Sequence, residues 1–166
     1  MDARLDLFTN PVATKFIKGI NAASLATRSA GVPIETLELM ALRISQINGC
    51  AVCVDMHTKD AVERGETAVR LNLVVAWREA TVFTEAERAA IALAEEGTRL
   101  ADSASGVSDD VWANAAKHYN DEQLAALIGT IAIMNSWNRL NIITHSRPAT
   151  TCRASGAEVQ RDLEEV

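Results

Sequence analysis

Apolar residues recur along this chain at the spacing of helices, and no stretch sustains the two-residue alternation and β-branched enrichment of a β-strand. Alanine and leucine are abundant, which also favours helices. The chain has 166 residues, enough for one domain that buries its own core. The sequence therefore predicts one all-α bundle of about seven helices.

Local capping signals set the predicted helix boundaries. Asn10-Pro11 combines an N-cap residue with a first-turn proline and opens a helix that runs to about Arg28. Pro33 starts a second helix, and Asn48-Gly49 ends it because both residues tolerate the left-handed conformation. Further helices are predicted from about Cys50 to Gly65, Thr67 to Trp77, the TEAE capping box (Thr84–Glu87) to Leu100, Ser108 to Ala116 and Asn120 to Ile143.

Charge and hydropathy exclude several classes of partner. The net charge is -6 and no Lys/Arg-rich run occurs, which argues against nucleic acid and anionic membrane surfaces. The first residues lack the apolar core of a signal peptide. The most apolar run, Leu124–Met134, is shorter than the roughly 20 residues that span a bilayer. We expect a cytoplasmic protein with one domain over residues 1–147 and a polar tail over residues 148–166.

Two cysteines and a histidine open the third predicted helix. Cys50 and Cys53 form a CxxC motif, and His57 follows four residues after Cys53. At about 100° per residue all three side chains share one helix face. The unpaired amides and positive dipole of a helix start favour a thiolate there. A second thiol one turn away can attack an oxidised sulfur, so the motif is typical of a redox-active dithiol.

Glu38 is the predicted partner of His57. It precedes Cys50 by twelve residues, so a chain reversal at Asn48-Gly49 would bring Glu38 to a height near that of His57. A carboxylate beside an imidazole orients the ring and assists proton transfer. These residues predict a thiol-activating relay. Spacing alone leaves the nucleophile open, because the helix start favours Cys50 and the i+4 histidine favours Cys53.

Three other readings of the cysteines are weaker. Structural zinc sites usually have four Cys/His ligands, whereas His118, His145 and Cys152 are scattered single residues. Three cysteines in a reducing compartment do not favour a structural disulfide. The cysteines would alternatively be small core residues beside a surface histidine. We expect no metal, and we expect the tail residue Cys152 to be a bystander. For His118 the sequence leaves two positions open, one on the surface and one in the pocket.

The segment Glu38–Thr67, ELMALRISQINGCAVCVDMHTKDAVERGET, resembles the core of the alkylhydroperoxidase D-like (AhpD-like) branch of the carboxymuconolactone decarboxylase family. The shared pattern is a glutamate, twelve residues to the first cysteine, CxxC, three residues and a histidine. The resemblance continues through Ala76–Glu95 and Ile133–Ile142 and ends at about Arg147. This combined pattern is specific, whereas CxxC alone is not.

The resemblance implies an all-helical homotrimer or hexamer with peroxiredoxin-type alkyl hydroperoxide reductase activity and no cofactor. In such enzymes the second cysteine attacks the peroxide and the first resolves the product. Carried over, Cys53 is peroxidatic, Cys50 is resolving, and Glu38 and His57 form the relay. The implied partners are an organic hydroperoxide and a dithiol reductant, either a lipoyl group or a thioredoxin-like protein.

The chain departs from some of these relatives at Val52, where they carry a histidine between the cysteines; this implies a shorter relay. The lactone decarboxylase branch shares the fold but typically lacks CxxC. A disulfide oxidoreductase and a redox sensor remain rival functions. We assign Asn138 a structural role on an otherwise apolar helix. We expect an apolar wall near the thiols, formed by Met40, Leu42, Val54 and Met56.

Overall fold

The computed structural model of the chain describes residues 3–103 and 105–148. Regular structure in these ranges is entirely helical, which confirms the predicted all-α fold. The α-helices are α1 (Pro11–Arg28), α2 (Ile34–Asn48), α3 (Ala51–Glu63), α4 (Ala68–Leu73), α5 (Glu85–Thr98), α6 (Asp109–Ala116) and α7 (Asp121–Thr144). Short 3-10 helices cover Val74–Ala76 and Leu100–Asp102. No helix in the described ranges is long and apolar enough to cross a membrane.

Helix starts follow the capping signals. The Asn10 side chain accepts from the first backbone amides of α1. Thr84 and Glu87 form the predicted capping box of α5, each side chain bonding the other residue's amide. α7 begins with a second capping box, formed by Asn120 and Gln123, that sequence reasoning had read only as a cap. Such pairs satisfy amides that have no partner within the helix.

The predicted fourth helix is divided. α4 ends at Leu73, and the chain continues as a 3-10 helix to Ala76 instead of as an α-helix to Trp77. The tighter turn precedes Trp77, which is buried with its indole nitrogen 3.0 Å from a carboxylate oxygen of Glu95. A local propensity argument could not anticipate this contact, because Glu95 lies on a different helix.

α2 is the central helix. Every residue from Thr36 to Ser45 is buried, and the helix packs against α3, α5 and α7. Met40 and Ile44 belong to an apolar cluster that contains both motif cysteines. Leu39 and Leu42 belong to a second cluster, built around Trp77, Phe83 and Ile91. The four polar residues in this buried stretch are Thr36, Glu38, Arg43 and Ser45, and they need hydrogen-bonding partners.

The turn between α2 and α3 positions the cysteines. Gly49 has a φ of 71°, in the left-handed region that favours glycine. Its amide bonds to Gln46 and the Cys50 amide bonds to Ser45, an arrangement of the Schellman type. Cys50 thereby becomes the N-cap of α3 and Cys53 falls in its first turn. The predicted chain reversal at Asn48-Gly49 is confirmed.

The domain boundary stays a prediction. Residues 149–166 of the proposed tail, including Cys152, lie outside the described residues.

Candidate active site

The structure brings the predicted site residues onto two adjacent helices. α2 contributes Glu38, and the start of α3 contributes Cys50, Cys53 and His57. All four are buried, with between 1% and 5% of their surface exposed. His57 is thus buried, whereas the alternative in which the cysteines are small core residues expected a histidine on the surface.

Glu38 and His57 meet, as the helix geometry predicted. Nδ1 of His57 lies 2.7 Å from Oε2 of Glu38. The other carboxylate oxygen accepts from Nη2 of Arg28 at 3.0 Å, a contact from α1 that sequence reasoning did not find. Burial alone would raise the pKa of Glu38, but the hydrogen bond and charge of His57 and the charge of Arg28 outweigh it and lower that pKa.

The ionised carboxylate fixes the imidazole tautomer. A carboxylate only accepts hydrogen bonds, so Nδ1 of His57 carries the proton in their contact. In the neutral ring, Nε2 is then the nitrogen that can accept a proton. Nε2 is buried and has no hydrogen-bond partner among the described residues, and the same is true of Oδ1 of Asp60 and Oε1 of Gln46. Unpaired buried polar atoms are costly, so these atoms call for an explanation.

In the described ranges, one set of Cys, His and acidic side chains has ligand atoms close enough to hold a metal ion. It consists of Glu38, His57 and Asp60, whose ligand atoms lie within 4.8 Å of one another. Neither motif cysteine belongs to it. Both oxygens of Glu38 are engaged with Arg28 and His57, so a cation would have to displace those contacts. This donor set fits a proton relay better than a metal centre. Burial, with the nearby charge of Glu38, raises the pKa of Asp60.

The two motif thiols are in direct contact. Their Sγ atoms lie 2.7 Å apart, and both cysteines are free. The backbone amide of Cys53 also donates to Sγ of Cys50 at 3.4 Å. The sulfurs of a disulfide are about 2.05 Å apart, so the pair is close to the geometry of its oxidised form.

Their shared proton is held unequally. The hydrogen bond from the Cys53 thiol lowers the pKa of Cys50 to about 6, although burial opposes this. The same bond, together with burial, raises the pKa of Cys53. Of the two thiols, Cys50 therefore has the lower pKa, and it is also the residue that the helix start favours.

α7 supplies asparagine side chains beside the thiols. Nδ2 of Asn141 lies 3.3 Å from Sγ of Cys53. Asn138 is fully buried and donates to Oγ of Ser45 at 3.1 Å, while its own Oδ1 accepts from Asn48 at 2.8 Å. Asn138 thus has the structural contacts that we predicted.

The contact of Asn141 was missed by sequence reasoning. A signal for it exists in the sequence, because Asn135, Asn138 and Asn141 recur every three residues on an otherwise apolar helix. Residues at that spacing lie close together on a helix surface.

The predicted apolar wall is partly wrong. Met40 packs in the same cluster as the cysteines. Leu42 and Val54, however, pack with the second cluster around Trp77. Leu42 follows Met40 by two residues, or about 200° around the helix axis, so it faces a different side of α2. Val52 is half-buried and packs against the cysteine cluster, whereas His118 is exposed.

Comparisons with known proteins agree with this fold. The model of the carboxymuconolactone decarboxylase family matches residues 11–96, just over half of the chain. The uncharacterized protein YdfG of Bacillus subtilis is 38% identical over 124 residues, which cover 75% of this chain and 83% of YdfG. The alkyl hydroperoxide reductase AhpD of Methylocella silvestris is 42% identical over 53 residues, which cover 28% of this chain and 30% of that protein.

A crystal structure provides the fold-level comparison. A protein of unknown function from Agrobacterium tumefaciens, described as a candidate antioxidant defence protein AhpD, superposes with a TM-score of 0.83 at 31% identity. The superposition covers 90% of this chain and all of the other. The chain therefore belongs to the carboxymuconolactone decarboxylase family and has an AhpD-like helical fold.

Proposed function

We propose that this protein is a cofactor-independent thiol peroxidase that reduces organic hydroperoxides through Cys50 and Cys53. The observation that carries the proposal is a contacting thiol pair on the same helix as His57. Nδ1 of His57 is held by the buried Glu38 carboxylate, and Nε2 has no hydrogen-bond partner among the described residues. The partial similarity to an alkyl hydroperoxide reductase supports the same chemistry.

In the first step, Cys53 attacks the peroxide. Its thiolate forms an S–O bond to the distal oxygen of ROOH, the O–O bond breaks, and an alkoxide leaves. The sulfur loses two electrons and becomes a sulfenic acid. His57 accepts the Cys53 proton at Nε2 beforehand through a bridging water, since the two side chains share no direct hydrogen bond. It then returns the proton to the alkoxide, which leaves as the alcohol. Glu38 stabilises the protonated ring in between.

The lower pKa of Cys50 does not decide the attacker. Removal of the Cys53 proton by His57 places a thiolate on Cys53 as well, 2.7 Å from the Cys50 sulfur. Cys53 is the thiol that lies four residues before His57 and receives the Asn141 amide. Cys50 suits the second step, because a low thiol pKa favours attack on the sulfenic sulfur.

The second and third steps return the enzyme to its starting state. The Cys50 thiolate attacks the sulfur of the Cys53 sulfenic acid, an S–S bond forms, the S–O bond breaks, and the departing hydroxide takes a proton from solvent to become water. An external dithiol then reduces the disulfide by exchange and is itself oxidised to a disulfide. We propose a lipoyl group or a thioredoxin-like protein as that dithiol. A supply of dithiols is typical of the cytoplasm, where we place the reaction.

We also propose that the chain forms a homotrimer or hexamer. Several large apolar side chains on α1 and α7 are exposed in the single chain, which is typical of surfaces that become buried on association. They include Val12, Phe16, Leu25 and Ile143, each more than half exposed. Sedimentation analysis is expected to give a trimer or hexamer mass, and a monomer at micromolar concentration would contradict this.

The test of function combines product analysis with turnover. A Cys152→Ser background leaves only the motif thiols among the three cysteines. Reduced protein is treated with cumene hydroperoxide in the presence of dimedone, and the products are identified by mass spectrometry. We expect a Cys50–Cys53 disulfide in the parent, a trapped Cys53 sulfenic acid in Cys50→Ser, and no oxidation in Cys53→Ser. With dihydrolipoamide as reductant, the parent should turn over.

Other outcomes assign other functions. A trapped sulfenic acid on Cys50 in Cys53→Ser would exchange the two thiol roles. A disulfide oxidoreductase is the second candidate, favoured by the low pKa of Cys50 at a helix N-cap. It would exchange with protein disulfides while reacting with hydroperoxide no faster than a free thiol. A lactone decarboxylase would keep its activity after both thiols are replaced.

A further inference from the structure

Cys53 receives a hydrogen bond from outside its own helix. Nδ2 of Asn141 on α7 lies 3.3 Å from the Cys53 sulfur, and the two residues are 88 positions apart in sequence. A thiolate has no proton to give, so it can bond only the N–H end of an amide. Val52, beside Cys53 in sequence, has an apolar side chain and no such donor.

We infer that Asn141 is a further catalytic residue, whose amide stabilises the negative charge on Cys53 before it attacks. Its role in peroxide reduction rests on the function proposed above, but the hydrogen bond can be tested without peroxide. Asn141 contacts the reacting sulfur directly, so its effect does not have to pass through a third group.

The surrounding charges explain why a neutral donor matters here. Among the described residues, Cys50 contacts Cys53 directly, His57 lies one helical turn after it on α3, and Glu38 of α2 holds the imidazole. Negative charge on Cys50 opposes a second charge on Cys53, and burial opposes it as well. The Asn141 amide opposes both effects and does not itself titrate.

Asn138 holds α7 in the register that this contact needs. It is fully buried and bonds both Ser45 and Asn48, near the end of α2. The Gly49 turn and Cys50 follow immediately. Asn141 lies three residues beyond Asn138, or about one helical turn. The same interhelical network therefore places the thiols and the amide that contacts one of them.

A hydrogen bond both helps and hinders a thiolate. At a pH below the Cys53 pKa, each unit by which the bond lowers that pKa increases the deprotonated fraction of Cys53 about tenfold. The bond also weakens the thiolate as a nucleophile by only about threefold over the same unit, because the Brønsted coefficient is about 0.4–0.5. At a pH below the Cys53 pKa, the gain in thiolate exceeds the loss in nucleophilicity. The amide should thus accelerate attack near neutral pH and slow it slightly at alkaline pH.

The experiment uses the full chain with Cys53 as its single cysteine, in a Cys50→Ser, Cys152→Ser background. The pKa of Cys53 is read from the pH dependence of alkylation by iodoacetamide and from thiolate ultraviolet absorbance. Asn141→Ala removes the donor. Asn141→Asp keeps the side-chain shape but replaces the donor with a charged acceptor. Asn114→Ala is the matched control, a half-buried asparagine on α6, which contributes no site residue.

We expect Asn141→Ala to raise the pKa of Cys53 by about one unit, the size typical of a hydrogen bond to a charged group. Alkylation should slow about threefold at neutral pH and become faster at alkaline pH. Asn141→Asp should raise the pKa further, and Asn114→Ala should leave it unchanged. A merely structural role would slow alkylation at every pH.

An unchanged Cys53 pKa in Asn141→Ala would overturn the inference. If that variant does not fold, as judged by circular dichroism, an unchanged pKa in Asn141→Asp would overturn it instead. A parallel series with cumene hydroperoxide tests the proposed function separately. If alkylation shifts as expected while no variant reacts with hydroperoxide, the peroxidase proposal fails and Asn141 remains the residue that activates Cys53.

Discussion

Two buried glutamates, Glu95 and Glu38, differ in how completely the polar groups around them are hydrogen-bonded. Oε2 of Glu95 accepts from Arg43 of α2 at 2.8 and 2.9 Å and from the Trp77 indole at 3.0 Å. Its Oε1 accepts from Arg78 at 2.8 Å. Glu38 is also bonded on both oxygens, yet Nε2 of its partner His57 is buried without a hydrogen bond to any described residue.

We propose that this difference separates polar groups that stabilise the fold from polar groups that serve the reaction. The Glu95 network connects α2, α5 and the segment after α4, and its carboxylate has a partner on each oxygen. Among the described residues, the Glu38 network stops at Nε2 of His57, an unpaired nitrogen on the same helix as the thiols. Incomplete pairing lowers stability, so its presence next to reactive groups indicates chemistry. Changes in the first network should therefore affect stability, and changes in the second should affect reactivity.

The largest effect is expected from Glu95→Ala. It leaves Arg43 buried without its carboxylate, which typically costs about 3–5 kcal/mol of unfolding free energy. Urea denaturation measures this loss, and the folded fraction should keep its thiol reactivity. Glu79→Ala, at an exposed position, is the control and should change stability by less than about 0.5 kcal/mol. Equal losses in the two variants would remove the contrast between the networks.

The second largest effect is expected from acidification, which should weaken the Glu95 network. Burial opposes ionisation, but hydrogen bonds from Trp77, Arg78 and Arg43 lower the pKa of Glu95 to about 2, from 4.5. A folded-state pKa below the unfolded value stabilises the protein above the unfolded pKa, and this stability is lost as the pH falls through the folded pKa. We expect a loss on the order of 3 kcal/mol between about pH 4.5 and 2.

Urea denaturation across that pH range provides the measurement, with Glu95→Gln as the comparison. The variant should be less stable at neutral pH and should lose less stability on acidification. The lowered pKa of Glu38 acts in the same direction and remains in both proteins. Parallel curves for the parent and the variant would show that Glu95 is not the group responsible.

Glu38→Gln should affect the rate of thiol oxidation. The amide keeps the shape but loses the charge that stabilises protonated His57, so we expect oxidation by hydroperoxide to slow by about a hundredfold, a typical contribution of acid–base catalysis. Its loss of stability should be smaller than that of Glu95→Ala. Stopped-flow kinetics give the rate. Glu63→Gln, an exposed glutamate on α3, is the control, and a similar rate in both variants would argue against the relay.

The smallest effect concerns the turn that precedes the thiols. A Cβ added at Gly49 or at Gly19 would meet no atom within 4 Å, so the two sites differ in backbone conformation and not in space. Gly49 has a positive φ, and Gly19 lies inside α1. Gly49→Ala should cost about 1 kcal/mol of stability, whereas Gly19→Ala should add about 0.5–1 kcal/mol. Thermal denaturation compares them, and a neutral Gly49→Ala would contradict the strained turn.

Local signals predicted most of the fold. The cap at Asn10, the box at Thr84–Glu87 and the break at Asn48-Gly49 act within one turn of the chain, so sequence alone reveals them. The meeting of Glu38 and His57 also followed from the rise of two helices that leave one turn. These inferences needed only sequence neighbours and helix geometry.

Contacts between distant segments were beyond the same reasoning. Arg28 reaches Glu38 from α1, Arg43 reaches Glu95 across 52 positions, and Asn141 reaches Cys53 across 88. Each depends on how the helices rotate against one another, which one sequence does not specify. The proposed roles of the two thiols also depend on such contacts, because in the sequence the helix start favours Cys50 and the i+4 histidine favours Cys53.

The most direct test of the account is the rate at which the fully reduced protein is oxidised by cumene hydroperoxide, followed by stopped flow beside a free-thiol control at the same pH. The account predicts oxidation at least about a hundredfold faster than the free thiol, in line with acid–base activation by the relay. Cys53→Ser should lose this acceleration. A rate in the parent no greater than that of the free thiol would contradict the claim that the Glu38–His57 network serves peroxide chemistry.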